Sequence, residues 1–241
     1  MLAEPVLPER ISIAGHNLIA TAEVPDGAFL RLVQCGDEFT VLLDRTELMS
    51  TRASASEEAL ATMTCERLGT CEAPPDLLIG GYGMGYTLRA ALAVLSADAS
   101  VTVAELVPEI IAWARGPMRC LTAGCLDDPR VLLVDDDVAN LIGAARGGYD
   151  AILLDVDNGP EGITRRVNDR LYTAKGLQAA RRALKPGGIL AVWSAYSDAV
   201  FAARLVEAGF DVTEETVREC ADDDAADHVI WFAQRPRESH P

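Results

Sequence analysis

Asp76-Leu-Leu-Ile-Gly-Gly-Tyr-Gly-Met-Gly-Tyr-Thr87 is the stretch on which the fold turns. An apolar run of strand length, Leu77 to Ile79, breaks into a glycine-dense turn. From Leu88 the spacing becomes helical, with Leu88, Ala91, Leu92 and Leu95 on one face. Glycine suits a turn that needs positive φ or close backbone approach to a ligand, because a Cβ would obstruct both. The helix that follows aims its unpaired N–H groups and positive dipole end over the turn. Gly81, Gly83 and Gly85, with Met84 between the last two, are therefore candidate ligand contacts. They form G-x-G-x-G. Position 86 is Tyr, so the dinucleotide fingerprint is not met.

Outward from the turn, a second strand, Val101 to Ala104, ends in Glu105. An acid at that strand end is placed to accept both hydroxyls of a ribose. A third strand, Val131 to Val134, is expected to be buried and runs into Asp135-Asp136-Asp137. A fourth, Ala151 to Leu154, runs into Asp155-Val-Asp157-Asn158-Gly-Pro160. Thr173 to Leu184 reads as a helix, Lys185-Pro-Gly-Gly188 as a turn, and Ile189 to Ser194 as a fifth strand. A helix from Asp198 to Ala208 leads to strands Phe210–Val217 and Val229–Ala233. The segment Glu219–Asp227 between them reads as a solvated hairpin loop. The pattern predicts an α/β fold: a Rossmann-like, doubly wound, mostly parallel seven-stranded sheet over 53–241. Residues 1–52 form a small N-terminal β-strand region, with strands at Arg10–Ala14, Leu18–Val24, Phe29–Cys35 and Phe39–Asp44 expected to pack on the larger domain. Between the two, Ser54-Ala-Ser-Glu57 reads as a capping box opening a helix that Gly69 stops.

In such sheets ligands bind beyond the carboxyl ends of the strands, so Glu105, Asp136 and Asp155 should share one crevice. Asp136 would accept from an exocyclic adenine amine, and Asp155 would sit beside the reacting end of the ligand. The competing reading of Asp135–Asp137 is a solvated turn, and that of Asp155 a structural cap or turn residue. Trp193 and Tyr196, at the end of strand five, wall the pocket or, for the Trp, pack in the core.

The formal charge of −16 argues against nucleic acid or an anionic membrane as partner. Six cysteines without a C-x-x-C pair, and three histidines without ligand spacing, predict no metal site. They fit reduced thiols, and with no signal peptide or membrane-length run read, a cytoplasmic protein is expected.

Ile79-Gly-Gly-Tyr-Gly-Met-Gly85, Val103-Ala-Glu105, Asp136, Tyr149-Asp-Ala-Ile-Leu-Leu-Asp155, Leu171-Tyr…Gly176-Leu and the run Lys185–Ser194 together resemble the spermidine synthase family. These polyamine aminopropyltransferases are built on the fold of AdoMet-dependent methyltransferases. The resemblance implies that the glycine turn holds the methionine-derived portion of decarboxylated AdoMet or AdoMet as co-substrate, Glu105 the ribose and Asp136 the adenine. Asp155 would orient or deprotonate an attacking amine or other nucleophile, with Asp157, Asn158 and Tyr196 on the acceptor side. Family members often pair as dimers, so a homodimer is an open option.

Three departures stand out. The family's glycine turn carries an Asp that grips an aminopropyl ammonium where this chain has Met84. The second acid of its loop after strand four is here Asn158, with Asp157 adjacent. Its Tyr-His pair has no counterpart near Ser56-Glu57-Glu58. A pocket short of amine-binding groups would bind a diamine poorly. The leading expectation is an aminopropyltransferase-like enzyme. An AdoMet-dependent methyltransferase acting on a small molecule is the rival, since Met84 removes the objection to a carboxylate and Asp157–Pro160 resembles amine-methylating loops. A non-catalytic nucleoside-binding protein comes third, and an NAD oxidoreductase is disfavoured by the glycine spacing.

Overall fold

Short turn-bounded apolar runs at the start of the chain pair as one antiparallel sheet. The computed structural model describes residues 12–13, 15–25, 27–44, 46–69, 73–156, 168–219 and 227–237. The chain falls into two compact units, Met1–Arg52 and Ala53–Pro241. In the first, β1 (Ser12–Ile13), β2 (His16–Glu23), β3 (Phe29–Cys35), β4 (Glu38–Leu43) and β5 (Thr46–Ser50) neighbour one another in chain order. The fifth strand was not expected, because Thr46-Glu-Leu-Met-Ser50 carries few apolar residues. Asp44 makes it possible by taking φ 53, a left-handed value that Asp tolerates, so the chain doubles back along β4.

The second unit begins with α1 (Ala55–Leu68) and continues as alternating strands and helices. These are β6 (Asp76–Gly80), α2 (Tyr86–Val94), β7 (Ser100–Glu105), α3 (Pro108–Arg115), α4 (Arg119–Thr122), β8 (Val131–Asp135), α5 (Val138–Ala144), β9 (Tyr149–Leu154), α6 (Ala174–Ala183), β10 (Leu184–Ser194), α7 (Ala199–Glu207), β11 (Asp211–Arg218) and β12 (Asp227–Gln234). The sheet order is β11-β12-β10-β9-β6-β7-β8, with β12 antiparallel to both neighbours. This is the expected seven-stranded, mostly parallel sheet. Chain direction across it reverses between β6 and β9, which places a ligand crevice at the carboxyl ends of those two strands.

The central strands are buried on both faces, from Leu77, Leu78 and Ile79 to Ile152, Leu153 and Leu190. One face closes over Tyr172, Phe201 and Trp231, whose rings meet edge to face at centroid distances of 5.6 and 4.9 Å. On that side each aromatic removes a large area from water and adds about 1 kcal/mol of ring–ring attraction. Among the described residues no helix is long and apolar enough to cross a membrane.

Three local expectations are corrected. β8 is an edge strand rather than a buried one, with Leu132 59% exposed. Its aliphatic run looks like a buried strand because sequence does not reveal which strand ends the sheet. Lys185-Pro-Gly-Gly188 lies inside β10 as a register shift against β9, not in a turn before it. Gly187 at φ 85 and a Gly188 with no room for a Cβ beside the Asp150 carbonyl (2.9 Å) let the strand bend there. Finally, Ser54 does not cap α1. Its hydroxyl donates to Glu58 Oε1 (3.0 Å), and the Ala55 and Ser56 amides donate instead to the Glu219 carboxylate at 3.0 and 3.1 Å. Glu219 is thus a buried cap, not part of a solvated loop; residues 220–226 lie outside the described residues.

Candidate active site

β6 ends at Gly80, and the chain then passes through three left-handed glycines, Gly81, Gly83 and Gly85, at φ 81, 55 and 78. Two of them are required by what surrounds them. A Cβ on Gly81 would lie 2.7 Å from the Asp155 carbonyl oxygen, and one on Gly85 would lie 2.6 Å from the Tyr82 hydroxyl. Gly81 therefore lets the turn press against the end of β9. Gly85 lets the buried Tyr82 ring fold under the turn, its hydroxyl 3.7 Å from Cys125 Sγ. Gly85 is also the N-cap of α2, so the helix amides open onto the turn. Met84 is buried at 5% exposure and gives the turn no polar side chain.

Glu105, the last residue of β7, holds the same turn from the other side. Its two carboxylate oxygens accept from the amides of Tyr82 (2.9 Å) and Val107 (2.9 Å). Burial pushes its pKa up, and those backbone donors act against the rise. One strand further, Asp136 accepts from the Asp137 amide and from Asn140 Nδ2, both at 2.7 Å. Asp137 is buried, caps α5 through the Ala139 amide (2.8 Å) and pairs with Arg170. A freely solvated turn at Asp135–Asp137 is therefore not what the structure contains.

Asp155 follows β9 at the reversal of strand order, its amide donating to the Gly80 carbonyl at 3.2 Å. Thr87 Oγ1, in the first turn of α2, donates to its Oδ2 at 2.7 Å. Burial raises Asp155 to about 6. Glu57, in the first turn of α1, is raised to about 8 by burial and then by the charge of Asp155. Trp193 comes just after Val192, which pairs with Leu154, so it lies next to Asp155 across the sheet. Its indole stacks on His228 at 4.8 Å and an interplanar angle of 34°.

The glycine turn, Glu105 and Asp155 thus form one contiguous feature, with Asp136 at the same sheet edge one strand beyond β7. Tyr196 is 44% exposed in the segment after β10, where its backbone meets Ser194 Oγ. Asp157 and Asn158 lie outside the described residues. Sequence reasoning missed Glu57, Thr87 and Glu219. The available signal was the acid pair Glu57-Glu58 in a first helical turn, which reads as helix capping unless the helix end is known to face the cleft.

Residues 59–202 match the model of the spermine/spermidine synthase domain. A polyamine aminopropyltransferase of Mycobacterium tuberculosis is 33% identical over 187 residues, covering 74% of this chain and 34% of that protein. A putrescine N-methyltransferase of Nicotiana tabacum is 33% identical over 124 residues, 51% of this chain and 31% of that protein. The chain spans about a third of the length of these curated relatives. Spermidine synthase from Thermotoga maritima superposes with a TM-score of 0.71 at 19% identity, over 92% of this chain and 74% of that one, which establishes the shared fold.

Proposed function

Because this chain belongs to the spermine/spermidine synthase domain family, we propose that it is a transferase moving an aminopropyl group from decarboxylated AdoMet to an amine. The observation that carries the proposal is the junction of Gly81 with Asp155: the turn that would cradle the adenosyl sulfonium touches the residue that would meet the nucleophile. Glu105 would receive the ribose hydroxyls and Asp136 the adenine amine, both being carboxylates that accept hydrogen bonds. The amides of residues 81–85 and the N-terminus of α2 would face the chain beyond the sulfur.

In the reaction, an uncharged amine forms a C–N bond to the carbon beside the sulfonium as the C–S bond breaks, and methylthioadenosine leaves. The proton lost by the nitrogen passes to Asp155, which at neutral pH is largely ionised with its pKa at about 6. Thr87 fixes one Asp155 oxygen, which leaves the other for the nucleophile. In-line positioning of the two reactants would supply much of the rate. Cys35, Cys120 and Cys125 are free thiols, in keeping with a cytoplasmic site of action.

Methyl transfer from AdoMet is the second reading. It is favoured by Met84, which puts no carboxylate against the AdoMet carboxylate, and by the likeness to a putrescine N-methyltransferase. Calorimetry against decarboxylated AdoMet, AdoMet, methylthioadenosine and NAD tests the proposal. Tight binding of the decarboxylated compound and of methylthioadenosine is expected. Preference for AdoMet would transfer the case to methylation, and indifference to every adenosyl sulfur compound would end both.

A further inference from the structure

Glu57 enters the cleft from a direction that the glycine turn does not explain. α1 packs against α2 and over β9, β10, β11 and β12, so its first turn overlies the carboxyl end of β9. The Thr87 hydroxyl that donates to Asp155 lies 3.4 Å from the Glu57 carbonyl oxygen, so one side chain joins the two residues. Ser56 Oγ sits 3.1 Å from Glu57 Oε2, and it also makes a short bond to Glu219. Glu219 already accepts the Ala55 and Ser56 amides, which is the environment of an ionised carboxylate. Ser56 Oγ is the donor facing both Glu57 Oε2 and Glu219 Oε1, and one hydroxyl proton cannot serve two ionised carboxylates at once, so this cluster of acids is short of donors.

The other charged and titratable groups around Glu57 do not neutralise it. Asp155 and Glu219 are both acids, as is Glu58 on α1. Tyr86 faces it from α2, and the Arg89 guanidinium lies over the Tyr86 ring at 4.5 Å and donates to the Met84 carbonyl at 3.1 Å. His228, 3.6 Å from Glu219, is held toward its neutral form by burial. Among the described residues neither Glu57 nor Asp155 has an ion-pair partner. Two carboxyl groups in such a place hold a proton between them until a cation arrives.

We propose that Glu57 is the residue that selects the acceptor, forming with Asp155 a carboxyl pair that gives up its proton when a primary alkylammonium enters. The exchange balances: the Glu57 acid and an incoming ammonium become a Glu57 carboxylate facing that ammonium, and one proton leaves to solvent. Hydroxyl and thiol nucleophiles of the same shape bring no cation and gain nothing from the pair. The rise of Glu57 to about 8 agrees with a proton held at neutral pH. A carboxylate at this position also offsets the missing acids at Met84 and Asn158, so the poor diamine binding expected from sequence is replaced by an acceptor side built from α1. This inference rests on the cleft being a sulfonium-dependent transferase site.

The test is calorimetry near neutral pH on methylthioadenosine-loaded protein, titrated with 1,4-diaminobutane and with 1,4-butanediol in two buffers of different ionisation enthalpy. The diamine should bind with release of close to one proton, and the diol should not bind. Glu57→Gln should weaken the diamine by ~10–100-fold and abolish proton release. The exposed neighbour variant Glu58→Gln should behave as wild type, and methylthioadenosine affinity should stay within about twofold throughout. Unchanged diamine affinity and proton release in Glu57→Gln overturns the role of Glu57. So does an equal loss in Glu58→Gln, or a loaded protein that ignores the diamine. Failure of wild type to bind methylthioadenosine removes the transferase reading beneath it, a result distinct from the others.

Discussion

The two halves of the proposed cleft, one for the nucleoside and one for the acceptor, treat their acids in opposite ways. On the nucleoside side, each carboxylate is committed to the protein: Glu105 to the Tyr82 and Val107 amides, Asp136 to Asn140 and an amide, Asp137 to the α5 N-terminus and Arg170. On the acceptor side, Asp155 has a single hydroxyl donor and Glu57 a serine. Among the described residues, Trp193 Nε1 and His228 Nδ1 are buried there without a hydrogen-bond partner. The first half is preorganised by backbone donors that need no ligand to hold their shape. The second carries polar groups whose burial is unfavourable until something enters. That asymmetry suits a protein that binds its nucleoside in one fixed pose and gains its selectivity from the charge of the acceptor.

Asp155→Asn gives the sharpest test of the division. It preserves shape and the Thr87 contact but removes the proton acceptor, so turnover should fall by ~10²–10⁴-fold. Methylthioadenosine affinity should change by less than about threefold, since no nucleoside-side group is touched. A joint collapse of turnover and nucleoside binding would show that the halves are one unit. Gly81→Ala attacks the seam instead. Its Cβ would lie 2.7 Å from the Asp155 carbonyl at a φ of 81, so the turn must move. A loss of stability on the order of 2–3 kcal/mol is expected in urea unfolding, with weaker binding on both sides.

Stability against pH separates the halves more finely. Unfolded, Glu57 and Asp155 ionise near 4.5 and 3.8; folded, they hold protons up to about 8 and about 6. Between those limits the folded protein binds more protons than the unfolded chain, so stability declines as pH rises from about 4 to about 8. His228 works in the other direction, since its lowered pKa makes the folded state lose stability as pH falls below its usual 6.5. Comparing wild type with Glu57→Gln removes that background. The variant should melt about 3 °C or more higher at alkaline pH, with the gap closing toward about pH 5. Parallel melting curves would show that Glu57 is solvated and that the acceptor half stores no unfavourable charge.

The nucleoside half was the legible one. Its glycines, strand-end acid and strand–turn–helix order are local, so Gly81, Gly85 and Glu105 could be placed from spacing alone, as could Asp155 at the end of β9 on the acceptor side. The sheet followed from continuous aliphatic runs such as Leu77–Ile79 and Ile152–Leu154. Leu132 misled because edge position is set by strand order, which the run itself does not carry. The acceptor half joins residues far apart in the chain: Glu219 caps a helix that begins at Ala55, and Glu57 meets Asp155. Nothing local marks such pairs. Ser54-Ala-Ser-Glu57 even resembled a self-contained capping box, and the carboxylate that caps the helix came from the end of β11.

The opposite edge of the sheet supplies the control and the smallest expected effect. Lys185 Nζ donates to Asp76 Oδ2 at 2.9 Å and Asp150 Oδ2 at 2.7 Å, and the Asp76 amide donates to the same Asp150 oxygen at 2.8 Å. These residues lie at the starts of β6, β9 and β10, so one lysine ties three strands together away from the cleft. The acids there are paired by the protein itself and have no charge to offer a ligand. Lys185→Met should cost about 1 kcal/mol in urea unfolding, because the lysine side chain is 34% exposed and such pairs are partly screened by water. The deficit should shrink in about 1 M salt. Methylthioadenosine and diamine affinities should both be unaltered. If diamine affinity fell with Lys185→Met as it is expected to with Glu57→Gln, the unpaired state of the acceptor-side acids would not be what recognises the amine, and the contrast between the two halves of the cleft would lose its functional meaning.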